Sequence, residues 1–150
     1  MHARPQGPTV EEVLARMDEG WSAFQARVSA IPPERLALRL GDGQWTRKQM
    51  LAHVVTWHDL TVERLGAFVD SGEPQGIDGE TDAINARAAR AAEGRTSGEI
   101  LLTLDESFRR LRRMVSRLTD GQLWAHDGWA AAVIAGNSYD HYTEHLPDAA

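Results

Sequence analysis

Apolar residues recur at steps of three and four along most of the chain, a spacing that predicts helices with one buried stripe each. In the first such stretch the stripe is Val10, Val13, Leu14, Met17, Trp21, Phe24 and Val28. Thr9, with Glu12 three residues on, offers the reciprocal pairing of a capping box at its start, and Pro32 and Pro33 end it. A loop through Gly41, Asp42 and Gly43 leads to Trp45 and a second start signal, Thr46 with Gln49. Met50, Leu51, Val54, Val55, Leu60 and Leu65 then predict a helix over residues 47–70. The turn-rich SGEPQGIDGETD is followed by DAINARAARAAEG, alanine-rich enough for a short, partly solvated helix that Gly94 stops. Thr96 and Glu99 repeat the capping pattern before a third long stripe of Ile100, Leu101, Leu104, Phe108, Leu111, Met114, Val115 and Leu118. Asp120 opens a short turn carrying Leu123 and Trp124, and the last helix runs from near Trp129 through AAAVIAGNSYDHYTEH to Pro147. Nothing alternates with period two and no internal repeat is present. The pattern predicts an all-α protein, an antiparallel four-helix bundle, forming one domain over residues 1–150 with a loose start at 1–8.

Composition then narrows the functions open to such a bundle. With 42% hydrophobic and 25% charged residues it is ordinary for a globular chain. No apolar run approaches the roughly 20 residues of a bilayer span, so no membrane partner is expected. The opening MHARPQGPT lacks the apolar segment of a signal peptide, which leads us to expect a cytoplasmic protein. There is no cysteine, which removes disulfides, thiolate ligands and a cysteine nucleophile and leaves histidine and carboxylate chemistry. A formal charge of -6 gives no overall attraction to phosphates, and the basic run RRLRRM at 109–114 follows Asp105 and Glu106. Nucleic acid is therefore not expected as a partner.

Six histidines carry the remaining chemistry. His141 and His145 stand four apart in the last helix, so their imidazoles stack on one face and can share an ion. The same spacing arises readily by chance, with one ring in the core and one in solvent as the ordinary alternative. H141-Y-T-E-H145 also spells the inverted zinc-protease signature, but that reading needs a further acidic ligand and a larger mixed fold. Glu144 is a candidate for handling protons, or a plain surface carboxylate. His53 lies one turn into the second helix among Met50, Val54 and Trp57, where an inward imidazole needs a partner, either an ordinary hydrogen bond or a metal. With the other two it could complete a facial triad that leaves positions for water or substrate. His58, about 140° farther round the helix, is expected to be exposed or at a helix contact. His126 belongs to a loop, solvated or at a pocket mouth, and His2 to a frayed terminus. Trp57, Asn137 and Ser138 are candidate pocket residues, with simple packing as the alternative.

Two segments go further: W45-T-R-K-Q-M-L-A-H53 leading to Trp57, and G136-N-S-Y-D-H141-Y-T-E-H145. They resemble the DinB-like and YfiT-like superfamily of helical metalloproteins, and the run from Gly136 to His145 is most similar to the ClbS/DfsB branch. The resemblance implies a four-helix bundle, often a homodimer, in which His53, His141 and His145 hold one divalent ion such as nickel or zinc. It also implies a small-molecule substrate. Some relatives transfer low-molecular-weight thiols such as mycothiol or bacillithiol, one isomerises maleylpyruvate with a thiol, and ClbS-like members hydrolyse a reactive electrophilic ring. For this chain the expectation is a metal-dependent enzyme that activates a thiol cosubstrate or water against an electrophile. A ClbS-like hydrolase and a non-catalytic binder that sequesters a toxic molecule are the alternatives.

Overall fold

Each apolar stripe read from the sequence is met by a helix in the computed structural model, which describes residues 7–40, 45–77 and 79–145. The order is α1 (Val10–Ser29), α2 (Pro33–Leu36), α3 (Arg47–Ser71), α4 (Thr81–Glu93), α5 (Ser97–Ser116), α6 (Asp120–Asn137) and α7 (Tyr139–His145). No strand occurs among the described residues; Arg39 and Thr46 form one isolated antiparallel bridge. The protein is all-α, and the long helices are α1, α3, α5 and α6. Gly41, Asp42, Gly43, Pro147 and His2 lie outside the described residues. No helix among the described residues is long and apolar enough to cross a membrane.

The start signals act as capping chemistry requires. Thr46 and Gln49 make both halves of a capping box, and Thr119 with Gln122 makes another that the sequence pattern alone did not single out. At Thr9 and Thr96 the threonine oxygen accepts the amide three residues on, at 3.1 Å in both cases. The return bond differs at α5, where the Thr96 hydroxyl donates to the Glu99 carboxylate.

Two breaks, one just before the last predicted helix and one within it, set the direction of the segment that carries His141 and His145. Inside α6 the backbone leaves helical geometry at residues 125–128, with His126, Asp127 and Gly128 at positive φ of 53°, 56° and 79°. The turn holding Leu123 and Trp124 is thereby separated from the helix that resumes at Trp129, much as expected. The other break was not expected: Ser138 (φ -131°, ψ -105°) divides α6 from α7. Its hydroxyl turns back to the Ile134 carbonyl at 2.5 Å. A Gly-Asn-Ser run supplies both a flexible backbone and a side chain that competes for the helix's own acceptors, a known origin of kinks.

The core is centred on aromatic rings from three helices. Trp21 of α1 stacks on Phe108 of α5 at 4.3 Å with planes 4° apart, and Tyr142 of α7 lies 5.4 Å from both Trp21 and Phe24. α3 packs most extensively on α5 and α4, while α1 receives α7. The arginine run of α5 contributes at the surface: Arg110 pairs with Asp59 of α3 at 2.8 Å, and Arg112 makes two bonds to Asp18 of α1 at 2.7 and 2.8 Å.

Candidate metal centre

Two helices aim imidazoles at one point. α3 presents His53 about two turns after the Thr46 cap, and α7 presents His141 and His145 one turn apart on the same face. His141 Nε2 lies 2.9 Å from His53 Nε2 and 3.1 Å from His145 Nε2. The ligand atoms of all three fall within 4.8 Å of one another, a span at most slightly wider than two metal–nitrogen bonds of about 2.1 Å end to end. His141 is buried, and His53 and His145 are half-buried at the edge of the bundle.

The surroundings keep His53 and His141 neutral, the form in which imidazole ligates a metal. Burial pushes His141 down to about 3, with His53 and His145 adding to the effect. His53 is also held below the usual imidazole value, chiefly by burial and further by His145, against the opposing effects of its bond to Asn85 and of the Glu144 carboxylate.

A hydrogen bond between two of these rings leaves the third unserved. One hydrogen on His141 Nε2 can point at only one of its two neighbours, whereas a cation among the three nitrogens satisfies every lone pair that faces it. The donor set therefore fits a divalent ion that accepts imidazole, such as nickel or zinc. His141 Nδ1, buried as well, has no hydrogen-bond partner among the described residues.

Around His53 the structure adds one residue that the sequence pattern did not single out. Asn85, from the alanine-rich α4, places Oδ1 2.9 Å from His53 Nδ1 and accepts the Trp57 indole N–H at 2.7 Å. Trp45 also lies against His53, with ring centres 5.2 Å apart. An asparagine in an alanine-rich helix carries no periodic signal. Only the docking of α4 on α3 shows what it touches.

Trp57 is buried beside His53 with its only polar side-chain atom bonded to Asn85. Asn137 donates to the Val133 carbonyl at 2.9 Å, and Ser138 is fully buried at the kink. Glu144 is exposed, with its charge felt at His53. His126 is exposed and meets the Gly72 carbonyl at 2.8 Å through Nε2. His58 is not exposed but fully buried at a helix contact, because Ser107 of α5 and Tyr142 of α7 occupy its two nitrogens at 2.8 and 2.5 Å.

A family model described as the DinB superfamily matches residues 5–146. No curated protein matches in sequence. Among solved structures, the colibactin self-resistance protein ClbS, in complex with a double-stranded DNA, is similar with a TM-score of 0.79 at 14% identity, covering 96% of this chain and 95% of that one. DfsB, described as a sibling lethal factor precursor, is similar with a TM-score of 0.81 at 12% identity over 96% and 94% of the two chains. A mutant of a mycothiol-dependent maleylpyruvate isomerase has a TM-score of 0.72 at 20% identity, covering 99% of this chain but 63% of that one. The expectation that excluded nucleic acid as a partner is corrected by the first of these, since a protein of this fold was crystallised with DNA. Its physical weakness is that net charge sums over the whole molecule, whereas contact with a phosphate depends on charges within about 8 Å, the screening length at physiological salt.

Proposed function

The chain belongs to the DinB superfamily, and from that premise we propose that it is a metal-dependent enzyme in which His53, His141 and His145 hold one divalent ion, nickel or zinc. Its reaction is attack by a low-molecular-weight thiol or by water on an electrophilic small molecule. The observation that carries this reading is the convergence of three imidazoles from two helices with Nε2 contacts of 2.9 and 3.1 Å. When bound, the ion supplies Lewis acidity and lowers the pKa of a nucleophile at its open positions.

The chain's own residues have separate tasks. The three histidines are uncharged ligands, so they leave the positive charge of the site available to an anionic nucleophile. Glu144, exposed on the same helix as two of them, is the group proposed to take the proton that the nucleophile loses. Trp45 and Trp57 both lie beside His53, and Trp57, Asn137 and Ser138 are proposed to shape the substrate side of the site. Because the chain has no cysteine, any thiol must arrive as a cosubstrate. The mycothiol-dependent neighbour supports thiol chemistry. The self-resistance role of ClbS supports the alternative, hydrolysis or sequestration of a toxic electrophile.

The test offers metal-loaded protein a panel of electrophiles with mycothiol, bacillithiol, glutathione or water alone, beside a chelated sample and His141→Ala. Duplex DNA joins the panel as a ligand, given the ClbS complex. The expected result is turnover that disappears with the metal and with His141. Turnover that survives chelation would refute the reading, and tight binding without turnover would select sequestration.

A further inference from the structure

The bonds around Asn85 fix which nitrogen of His53 carries its proton. The Trp57 indole N–H can only donate, so the Asn85 atom 2.7 Å from it must be the carbonyl oxygen. That same oxygen lies 2.9 Å from His53 Nδ1. An oxygen acceptor facing a ring nitrogen at this distance requires a hydrogen on the nitrogen, so Nδ1 carries the proton and Nε2 presents a bare lone pair to His141 and its neighbour His145. Trp57 thus decides the orientation of the amide, and the amide decides the tautomer of the histidine. No comparable acceptor faces His141 Nδ1 among the described residues.

We propose that Asn85 is a positioning residue for the three-histidine site: it holds His53 in the Nδ1–H tautomer and aims its Nε2 lone pair at the point shared with His141 and His145. This rests on the reading of those histidines as ligands of one ion. The location of Asn85 gives the short helix α4 a purpose, since α4 docks on α3 and delivers a single acceptor between Trp57 and His53. Gln49, one turn before His53, fastens the far end of the same helix by donating to the Ala89 carbonyl at 3.2 Å and to Glu93 at 3.3 Å.

Two measurements on the full chain test this. Long-range ¹H–¹⁵N correlation spectra of the histidine rings, recorded on metal-free protein near neutral pH, read the tautomer of His53 directly. Competition against a chromophoric chelator reads zinc affinity in wild type, Asn85→Ala and Asn85→Asp, with circular dichroism confirming that each variant is folded. The Nδ1–H form is expected in wild type and Asn85→Asp. Asn85→Ala is expected to lose that preference and to bind zinc about 10- to 100-fold more weakly, the usual cost of removing an outer-shell partner of a ligating histidine. Asn85→Asp keeps the acceptor and adds negative charge, so it should bind at least as tightly as wild type. An Nε2–H form of His53 in wild type, or Asn85→Ala binding zinc as wild type does, would overturn the inference while leaving the metal reading intact. Wild-type protein in the Nδ1–H form that takes up no zinc would instead overturn the metal reading, and the role of Asn85 towards the ion with it.

Discussion

At the scale of single residues, the two most buried histidines do different work. His58 links three helices through a chain of polar atoms inside the core. The Ser107 hydroxyl donates to the Leu104 carbonyl at 3.0 Å, so its oxygen accepts from His58 Nδ1, and His58 Nε2 in turn accepts from the Tyr142 hydroxyl. Burial, reinforced by His141 and Arg110, pushes the His58 pKa down to about 3, and burial raises that of Tyr142, so both remain neutral. An unfolded histidine titrates near 6.5, so below that pH the unfolded chain binds a proton that the folded chain refuses. The stabilisation is complete above about pH 6.5 and is lost as pH falls towards 3, at up to about 1.4 kcal/mol per pH unit for one such group. His141 adds to the same slope in metal-free protein. Denaturant unfolding of chelated protein at pH 7 and pH 5 should show the drop. His58→Leu should make it shallower, while lowering stability at pH 7 by about 1–3 kcal/mol because Tyr142 and Ser107 lose their partner. Stability that does not change between these pH values would refute the assignment. Helical periodicity places His58 away from the His53 face, but it gives only an angle. Whether that angle meets solvent or another helix depends on packing that the sequence does not display.

At the scale of elements, the site depends on how the seven-residue α7 is held. Gly20 of α1 faces it so closely that an added Cβ would lie 2.9 Å from Tyr139 Cβ and 3.2 Å from its Cα. Backbone cannot yield as a flexible side chain can. Gly20→Ala should therefore cost about 1–3 kcal/mol and displace the helix that carries His141 and His145, weakening zinc binding as well. Gly66, inside α3 with open space around it, is the control: Gly66→Ala should raise stability by about 0.5–1 kcal/mol. Urea unfolding compares them, and equal effects would show that the contact between α1 and α7 is not tight. The long helices and most of their starts were legible because caps and stripes are local patterns. The kink at Ser138 was not, since a glycine and a serine in a good helical stripe declare a bend only when the next helix has a different target. The histidine pair was legible as a spacing and His53 as an inward residue. Asn85 was not, because its meaning comes from a contact 32 positions away.

At the scale of the whole molecule, a fold shared with ClbS, DfsB and a maleylpyruvate isomerase at 12–20% identity shows how little sequence the helical plan needs. Such likeness carries architecture and leaves chemistry to the site. Net charge is a poor guide to partners for a related reason: it sums over the whole molecule, whereas a contact depends on nearby charges. The chemistry proposed for this bundle requires three side chains from two helices to act as one ligand set. The most direct test is the metal content and zinc affinity of full-length protein prepared without a histidine tag, measured for wild type and for alanine variants at positions 53, 141, 145 and 126. One ion per chain is predicted in wild type and in His126→Ala, with affinity collapsing in each of His53→Ala, His141→Ala and His145→Ala. Wild-type protein that binds no ion, or equal binding in all of these variants, would contradict a shared three-histidine site.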